Sequence, residues 1–206
     1  AIDLVEGDHM IGVRIVEQDQ DVLLYTRDGN AIRFAESDVR AMGRGAGGVR
    51  GISLEDDDQV VAVDILSPGR MILSVSERGQ GKCTELDEYR VTGRGGKGIF
   101  TMKVTDKTGA VMGIVQVSAD DELMLVTDRG RLIRIRVADI RVAGRNTQGV
   151  KLLDVDEGER VVSLARVVEN DTSETAAQAA AENPDATPDA DPGEDQDGGE
   201  PEADPQ

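Results

Sequence analysis

Leu123-Met124-Leu125-Val126-Thr127-Asp128-Arg129-Gly130-Arg131-Leu132-Ile133-Arg134-Ile135-Arg136-Val137 is the stretch from which the fold can be read. Two apolar runs, each too short for a helix, flank a polar turn. The pattern predicts a strand over 123–127, a tight two-residue turn with Gly130 in second place, and a returning strand over 132–137. In the returning strand the pleat sets Arg134 and Arg136 on one side and Ile133, Ile135 and Val137 on the other. The apolar side belongs to a core, and the arginines point outward.

The same hairpin recurs upstream. Gly29 in Arg27-Asp28-Gly29-Asn30 and Gly79 in Glu77-Arg78-Gly79-Gln80 precede Gly130 at spacings of 50 and 51. The pairs Gly43-Arg44, Gly93-Arg94 and Gly144-Arg145 keep those spacings, as do Gly48-Val49, Gly98-Ile99 and Gly149-Val150. Landmarks in one register establish a repeat whose period suits a propeller-like array or a solenoid. Each copy opens with an apolar strand (11–16, 60–66, 111–117). It continues through a hairpin (22–26 and 31–34, 71–76 and 82–85, 123–127 and 132–137), crosses a Gly-Arg loop and ends in a further strand (49–54, 99–104, 150–155). That is the content of a four-stranded blade. An opening strand recurs once more at 161–167, with Ser163 in the place of Gly12, Ala62 and Gly113. A repeat that restarts and stops predicts that neighbouring blades share or exchange a strand, and exchange also hides edges.

The net charge of −18 divides unevenly. Residues 169–206 hold 13 Asp and Glu, no Lys or Arg, and five of the six prolines, so they read as a disordered acidic tail. The expected division is a first blade repeat at 1–56, a second at 57–107, a third with its closing strand at 108–168, and the tail at 169–206. Cys83 is the single cysteine, which excludes an internal disulfide and suits a reducing compartment. No apolar run reaches the ~18 residues of a membrane span, and 1–6 do not read as a signal peptide. The sequence opens on Ala1 rather than Met and is read as the C-terminal piece of something longer.

Upstream of the tail 28 acids meet 23 bases, but the charge is phased. Acids gather early in each repeat, at Glu17, Asp19 and Asp21, at 55–58, and at 120–122. Bases gather late: seven against one acid over 129–151, six against three over 78–103, four against two over 33–50. One charged run alone is usually a solvated face, and one glycine-rich loop alone a turn. Return at the same phase of every repeat places the cations on one rim. Guanidinium forks and the N–H groups of loops 43–48, 93–98 and 144–149 suit phosphate oxygens. With Tyr25, Phe34, Tyr89 and Phe100 as the whole aromatic set, no platform exists for single-stranded bases. Duplex DNA, held through its backbone and its deformability, is therefore the expected ligand.

Other chemistry finds little support. The cluster 56–58 reads as a solvated corner without the ligand spacing of a calcium loop. His9 is the single histidine, Cys83 sits mid-strand, and Tyr25 and Tyr89 read as packing residues. No G-x-x-x-x-G-K-[ST] phosphate loop occurs. No catalytic set and no metal site are assigned.

Several segments carry a resemblance: Leu24-Tyr25-Thr26-Arg27, Ile32-Arg33-Phe34, Val39-Arg40-Ala41-Met42-Gly43, Gly48-Val49-Arg50-Gly51-Ile52 and, most specific, Val142-Ala143-Gly144-Arg145-Asn146-Thr147-Gln148-Gly149-Val150. They resemble the C-terminal domain of DNA gyrase A subunits, which are type IIA topoisomerases. The likeness runs from Val5 to about Val168, and an acidic tail is typical of the family too. It implies an all-β fold, a β-pinwheel of propeller-like four-stranded blades whose basic rim bends duplex DNA. In the family such wrapping lets the holoenzyme introduce negative supercoils. ATP and magnesium are implied on the partner, the gyrase B subunit, in a heterotetramer of two A and two B chains, and no cofactor is implied on this chain. The likeness also implies a bacterial, cytoplasmic, nucleoid-associated protein with no membrane partner. Carried over by repeat position, the DNA-binding residues are Arg33, Arg40, Arg44, Arg50, Arg90, Arg94, Lys97, Arg134, Arg136, Arg141, Arg145 and Lys151. The tail, tethered beside that rim, is expected to compete with phosphate.

Two departures stand out. Family members usually carry six blades, and the three repeats resemble the last three. Thr92-Gly93-Arg94-Gly95-Gly96-Lys97-Gly98 shares the end of the family's Q-R-R-G-G-K-G box but lacks the leading Gln and Arg, as a degenerate counterpart in a middle repeat. The tyrosine-bearing cleavage region has no counterpart in the sequence, so the chain is not expected to cleave DNA alone or to complete the wrap alone. Two other readings stay open: the topoisomerase IV A-type counterpart, and a propeller-like protein–protein scaffold.

Overall fold

A two-stranded hairpin has two open edges, and in this fold the next repeat closes them. The computed structural model describes residues 2–55 and 57–167; the expected tail lies outside the described residues. In chain order the strands are β1 (Asp21–Thr26), β2 (Asn30–Ala35), β3 (Val60–Ile65), β4 (Met71–Ser76), β5 (Gln80–Glu85), β6 (Ile99–Phe100), β7 (Val111–Val117), β8 (Glu122–Thr127), β9 (Leu132–Arg136), β10 (Val150–Lys151) and β11 (Val161–Val167). They form antiparallel sheets in the orders β3-β1-β2-β6, β10-β5-β4-β7 and β11-β8-β9. The hairpin β1–β2 of the first repeat thus receives β3 and β6 from the second. The hairpin β4–β5 receives β7 and β10 from the third, and β8 receives the recurring strand β11. The expected exchange of strands is real, and it brings two strands to each of the first two blades.

This exchange explains where strands fail to form. The apolar stretches 11–16 and 49–54 have the patterns of β3 and β6, yet neither is a strand. Their partners are the edges of a preceding hairpin, and none precedes them among the described residues. Ile15 is consequently 92% exposed and Val13 70% exposed. The expected strands 99–104 and 150–155 shorten to the two residues that meet β2 and β5. For the same reason the third sheet has three strands rather than four: among the described residues no further Gly-Arg repeat follows to cover the outer edge of β9.

The hairpin turns are also longer than the two residues expected. Three residues join the strands in the first two hairpins and four in the third, with glycine third in each at a φ of 87°, 72° and 80° for Gly29, Gly79 and Gly130. Gly29 N–H donates to Thr26 O at 3.1 Å, and Asn30 N–H donates to Thr26 Oγ1 at 3.1 Å. Ser76 and Thr127 repeat both contacts in the later hairpins. This is a type I turn followed by a left-handed residue, which suits the strand twist. Each sheet also shifts register at the end of its hairpin's first strand, at Tyr25/Thr26, at Val75/Ser76 and opposite Val161/Ser163.

Apolar faces from consecutive sheets meet in two cores. Leu23, Tyr25, Leu66, Ile72, Tyr89, Met102 and Val111 fill the first, and Leu73, Val75, Cys83, Leu123, Leu125, Val137 and Ile140 lie in the second. Ser74 Oγ donates to Tyr25 Oη at 3.2 Å, whereas the buried Tyr89 hydroxyl has no partner among the described residues. Burial pushes the Tyr25 phenol up to about 12, and Tyr89 is raised further by burial and by Tyr25. Burial likewise pushes the Cys83 thiol up to about 11, which suits an inert core residue.

One acidic residue departs from expectation. Asp58 is not solvated but buried, its Oδ1 accepting from Asp28 N–H at 3.0 Å and Gln59 N–H at 2.8 Å. Glu159 holds the equivalent place in the third repeat, accepting from Thr127 Oγ1 at 2.6 Å, Asp156 N–H at 3.0 Å and Arg131 at 2.8 Å. These hydrogen bonds, Thr127 foremost, hold its carboxyl down at about 2.

Candidate nucleic-acid interface

In each repeat the returning strand runs into a single 3-10 turn: Glu36–Asp38, Leu86–Glu88 and Val137–Asp139. Two residues after the turn comes an arginine, Arg40, Arg90 or Arg141, and four residues after that the arginine of the Gly-Arg pair. The intervening backbone is pinned to the previous repeat. Thr92 N–H donates to Arg33 O at 2.8 Å, and Ala143 N–H donates to Cys83 O at 2.9 Å, each beside a parallel bridge. Arg90 and Arg141 thus rise from a fixed backbone. Together with Arg40 they are exposed and make no ion pair or side-chain hydrogen bond among the described residues.

The Gly-Arg arginines behave differently. Arg94 Nη1 donates to Arg50 O at 3.1 Å and its Nε to Asp38 O at 2.8 Å. Arg145 Nη1 donates to Phe100 O at 3.4 Å and its Nε to Glu88 Oε2 at 3.3 Å. Arg50 and Phe100 are equivalent positions, as are Asp38 and Glu88. These arginines latch each Gly-Arg loop onto the repeat before it. Arg44 has no repeat before it among the described residues; it is exposed and unpaired there, as is Arg50.

The remaining candidates carry partners of their own. Arg33 pairs with Asp21 at 2.6 Å and donates to Leu86 O and Tyr89 O at 3.2 and 3.0 Å, holding two blades together from a side chain 20% exposed. Lys97 pairs with Glu55 and Lys151 with Asp154, both at 3.0 Å. Arg134 pairs with Glu122 across β8 and β9, and Arg136 pairs with Asp139. Exposed pairs of this kind are worth about 0–1 kcal/mol, so phosphate can displace the carboxylate. Arg33 is the exception, because releasing it opens an inter-blade contact.

The glycine-rich loops are not interchangeable either. In the second, Gly95 N–H is committed to Gly51 O at 2.5 Å, and Ser53 N–H donates to Gly96 O at 2.8 Å. The third is supported from beneath by Lys82, which nothing in its own repeat marks out when the repeats are read separately. Aligned, they show Ile32, Lys82 and Ile133 at one position, and a lone lysine between two isoleucines is the signal.

The family model described as "DNA gyrase C-terminal domain, beta-propeller" matches residues 20–67, 70–118 and 121–167. The chain belongs to this family. Each matched segment holds a hairpin and the opening strand of the next repeat: β1, β2 and β3, then β4, β5 and β7, then β8, β9 and β11, with the short β6 and β10 inside the second and third. The short β6 and β10 apart, the family unit follows the sheets, in a different phase from a division at 56 and 107. The DNA gyrase A protein of Salmonella typhimurium is 47% identical over 169 residues, covering 82% of this chain and 19% of that protein. Its Escherichia coli counterpart is 43% identical over 188 residues, covering 90% of this chain and 22% of that protein. The chain therefore spans about a fifth of the length of these relatives. A solved gyrase A C-terminal domain superposes with a TM-score of 0.77 at 30% identity, over 81% of this chain and 57% of that one. The C-terminal domain of a DNA topoisomerase IV gives 0.80 at 28%, over 88% and 57%. No helix among the described residues is long and apolar enough to cross a membrane.

Proposed function

We propose that this chain is the DNA-wrapping part of a gyrase A protein. It bends duplex DNA around its basic rim so that the holoenzyme introduces negative supercoils, with ATP and magnesium held on gyrase B partners. The observation that carries this reading is the row Arg40, Arg90 and Arg141: one exposed, unpaired guanidinium at the same phase of every gyrase-family repeat. Arg50 and Arg44 extend the row, and Arg134, Arg136, Lys97 and Lys151 join it by exchanging carboxylates for phosphates. Arg33, Arg94 and Arg145 act chiefly by holding the blades in register.

Duplex affinity measured against salt tests the reading. Counterion release predicts a straight, steep fall of log K with log salt; a flat response would sink it. The topoisomerase IV match supports a second reading, but the relatives at 43–47% identity are gyrase A proteins. Supercoiling by the assembled enzyme, rather than relaxation alone, separates the two. In the same proposal the acidic stretch 169–206 competes with DNA for the rim, and removing it tightens duplex binding at low salt.

A further inference from the structure

Lys82 is fully buried on β5, and its Nζ donates to Gly144 O at 2.7 Å, Arg145 O at 2.5 Å and Thr147 Oγ1 at 3.1 Å. All three acceptors belong to the third glycine-rich loop. Among the described residues no carboxylate stands within ion-pair distance of this ammonium. Glu88, from the preceding 3-10 turn, is the acid that faces it and is already engaged by Arg145. A buried positive charge is thus balanced by the dipoles of its three oxygen partners.

Peptide planarity then fixes the other side of the loop. In a trans peptide the N–H points opposite to the C=O. With the carbonyls of Gly144 and Arg145 turned inward to the ammonium, the N–H groups of Arg145 and Asn146 turn outward. Neither N–H has a hydrogen-bond acceptor among the described residues. Arg145 and Asn146 line a surface cleft of about 480 Å³, together with Gly144, Glu88, Ile99, Phe100 and Thr147. Two successive outward N–H groups over a buried cation form an anion-binding concavity. In the second loop the equivalent of Asn146 is Gly95, whose N–H is already taken by Gly51 O, and the residue beneath is Ile32.

We propose that the Arg145 and Asn146 N–H groups, backed by the Lys82 ammonium, seat one backbone phosphate of duplex DNA. The inference rests on the DNA-wrapping reading and adds to it a backbone contact, distinct from the exposed arginine row. Gly149 keeps the loop close enough for the seat to form, because a Cβ there would stand 2.5 Å from Gly81 O. The seat also has a pH limit. Burial, with help from Arg145 and against Glu88, brings Lys82 down to about 8 from an ordinary 10.5. Above that pH the neutral amine has two donors for its three acceptors, and the positive charge behind the N–H groups is gone.

The test is an amide-resolved NMR titration of the 206-residue chain with a short DNA duplex. In the unsubstituted protein the Arg145 and Asn146 amide resonances shift in step with binding, while that of Gly95 does not. This arm needs no variant, and amides of the third loop that stay still while DNA binds would overturn the seat. K82M, and K82I matching the sister repeats, are expected to weaken duplex affinity about three- to tenfold, the share of one phosphate contact. The unsubstituted protein loses affinity from pH 7 to 9, and K82M holds a flat profile. A K82M protein with unchanged affinity and an unchanged pH profile refutes the inference. If the unsubstituted chain shows no salt-dependent duplex binding at all, the wrapping reading itself has failed.

Discussion

Arg90 and Arg141 differ from Arg94 and Arg145 by four residues of sequence and by almost everything else. The earlier pair stands on pinned backbone with free guanidinium groups, while the later pair reaches back across a blade boundary to carbonyls and a carboxylate. Identical side chains at neighbouring positions of one repeat thus end differently, one left free at the surface and the other facing the protein. Position relative to the previous repeat decides which.

Breaking the free row should produce the largest effect on DNA. The triple substitution R40Q/R90Q/R141Q is expected to lower duplex affinity roughly tenfold or more at low salt. It should also make the slope of log K against log salt shallower by about 3, with the melting temperature unchanged. The opposite pattern, stability lost and the slope kept, would erase the distinction between the two sets. Breaking a latch should invert the readouts. R94A or R145A costs about 1 kcal/mol in thermal unfolding, the size of a hydrogen-bonded contact, and changes the salt slope by less than about one.

A buried carboxylate and a buried ammonium sharpen the contrast by asking how far structure alone holds the rim. Glu159 sits low, near 2 against an ordinary 4.5, so its stabilisation is complete above 4.5 and disappears as pH falls toward 2. E159Q is therefore expected to be less stable than the parent at pH 7, and the two unfolding curves should converge in acid. Lys82 has the reverse sign. Between about 8 and 10.5 the unfolded chain holds the proton that the folded chain has lost, so stability rises with pH relative to K82M. DNA affinity falls over the same approach to alkali, so fold and ligand respond in opposite directions. The smallest effect belongs to Tyr89, whose hydroxyl is buried without a partner among the described residues: Y89F should unfold within about 0.5 kcal/mol of the parent.

The period, the hairpins and the exchange of strands were all legible in the sequence, because each depends on spacing and alternation alone. The recurrence at 161–167 was enough to foretell that blades borrow strands. The failure of 11–16 and 49–54 to form strands was not legible, since those residues have the right pattern and lack only a partner. The rim was half legible. Phasing located the cations, but no property of Arg94 in isolation distinguishes a latch from a ligand; that depends on Arg50 O lying 3.1 Å away. Asp58 was misread as solvated because its partners, Asp28 and Gln59 N–H, come from a turn and a backbone that composition does not reveal.

The offset between repeat and blade has a consequence for how such a chain can change through descent. Among the described residues the first two hairpins are each completed by two strands that follow one repeat later. Removing or duplicating any stretch of one full period leaves every remaining hairpin with a donor in the correct place. A cut at any other length parts a hairpin from the strands that complete it. Gene duplication and loss can therefore move blade number by whole units without a single compensating substitution. The arginine row, carried at the same phase, lengthens or shortens with it, so the length of the exposed cationic row becomes a heritable quantity counted in repeats.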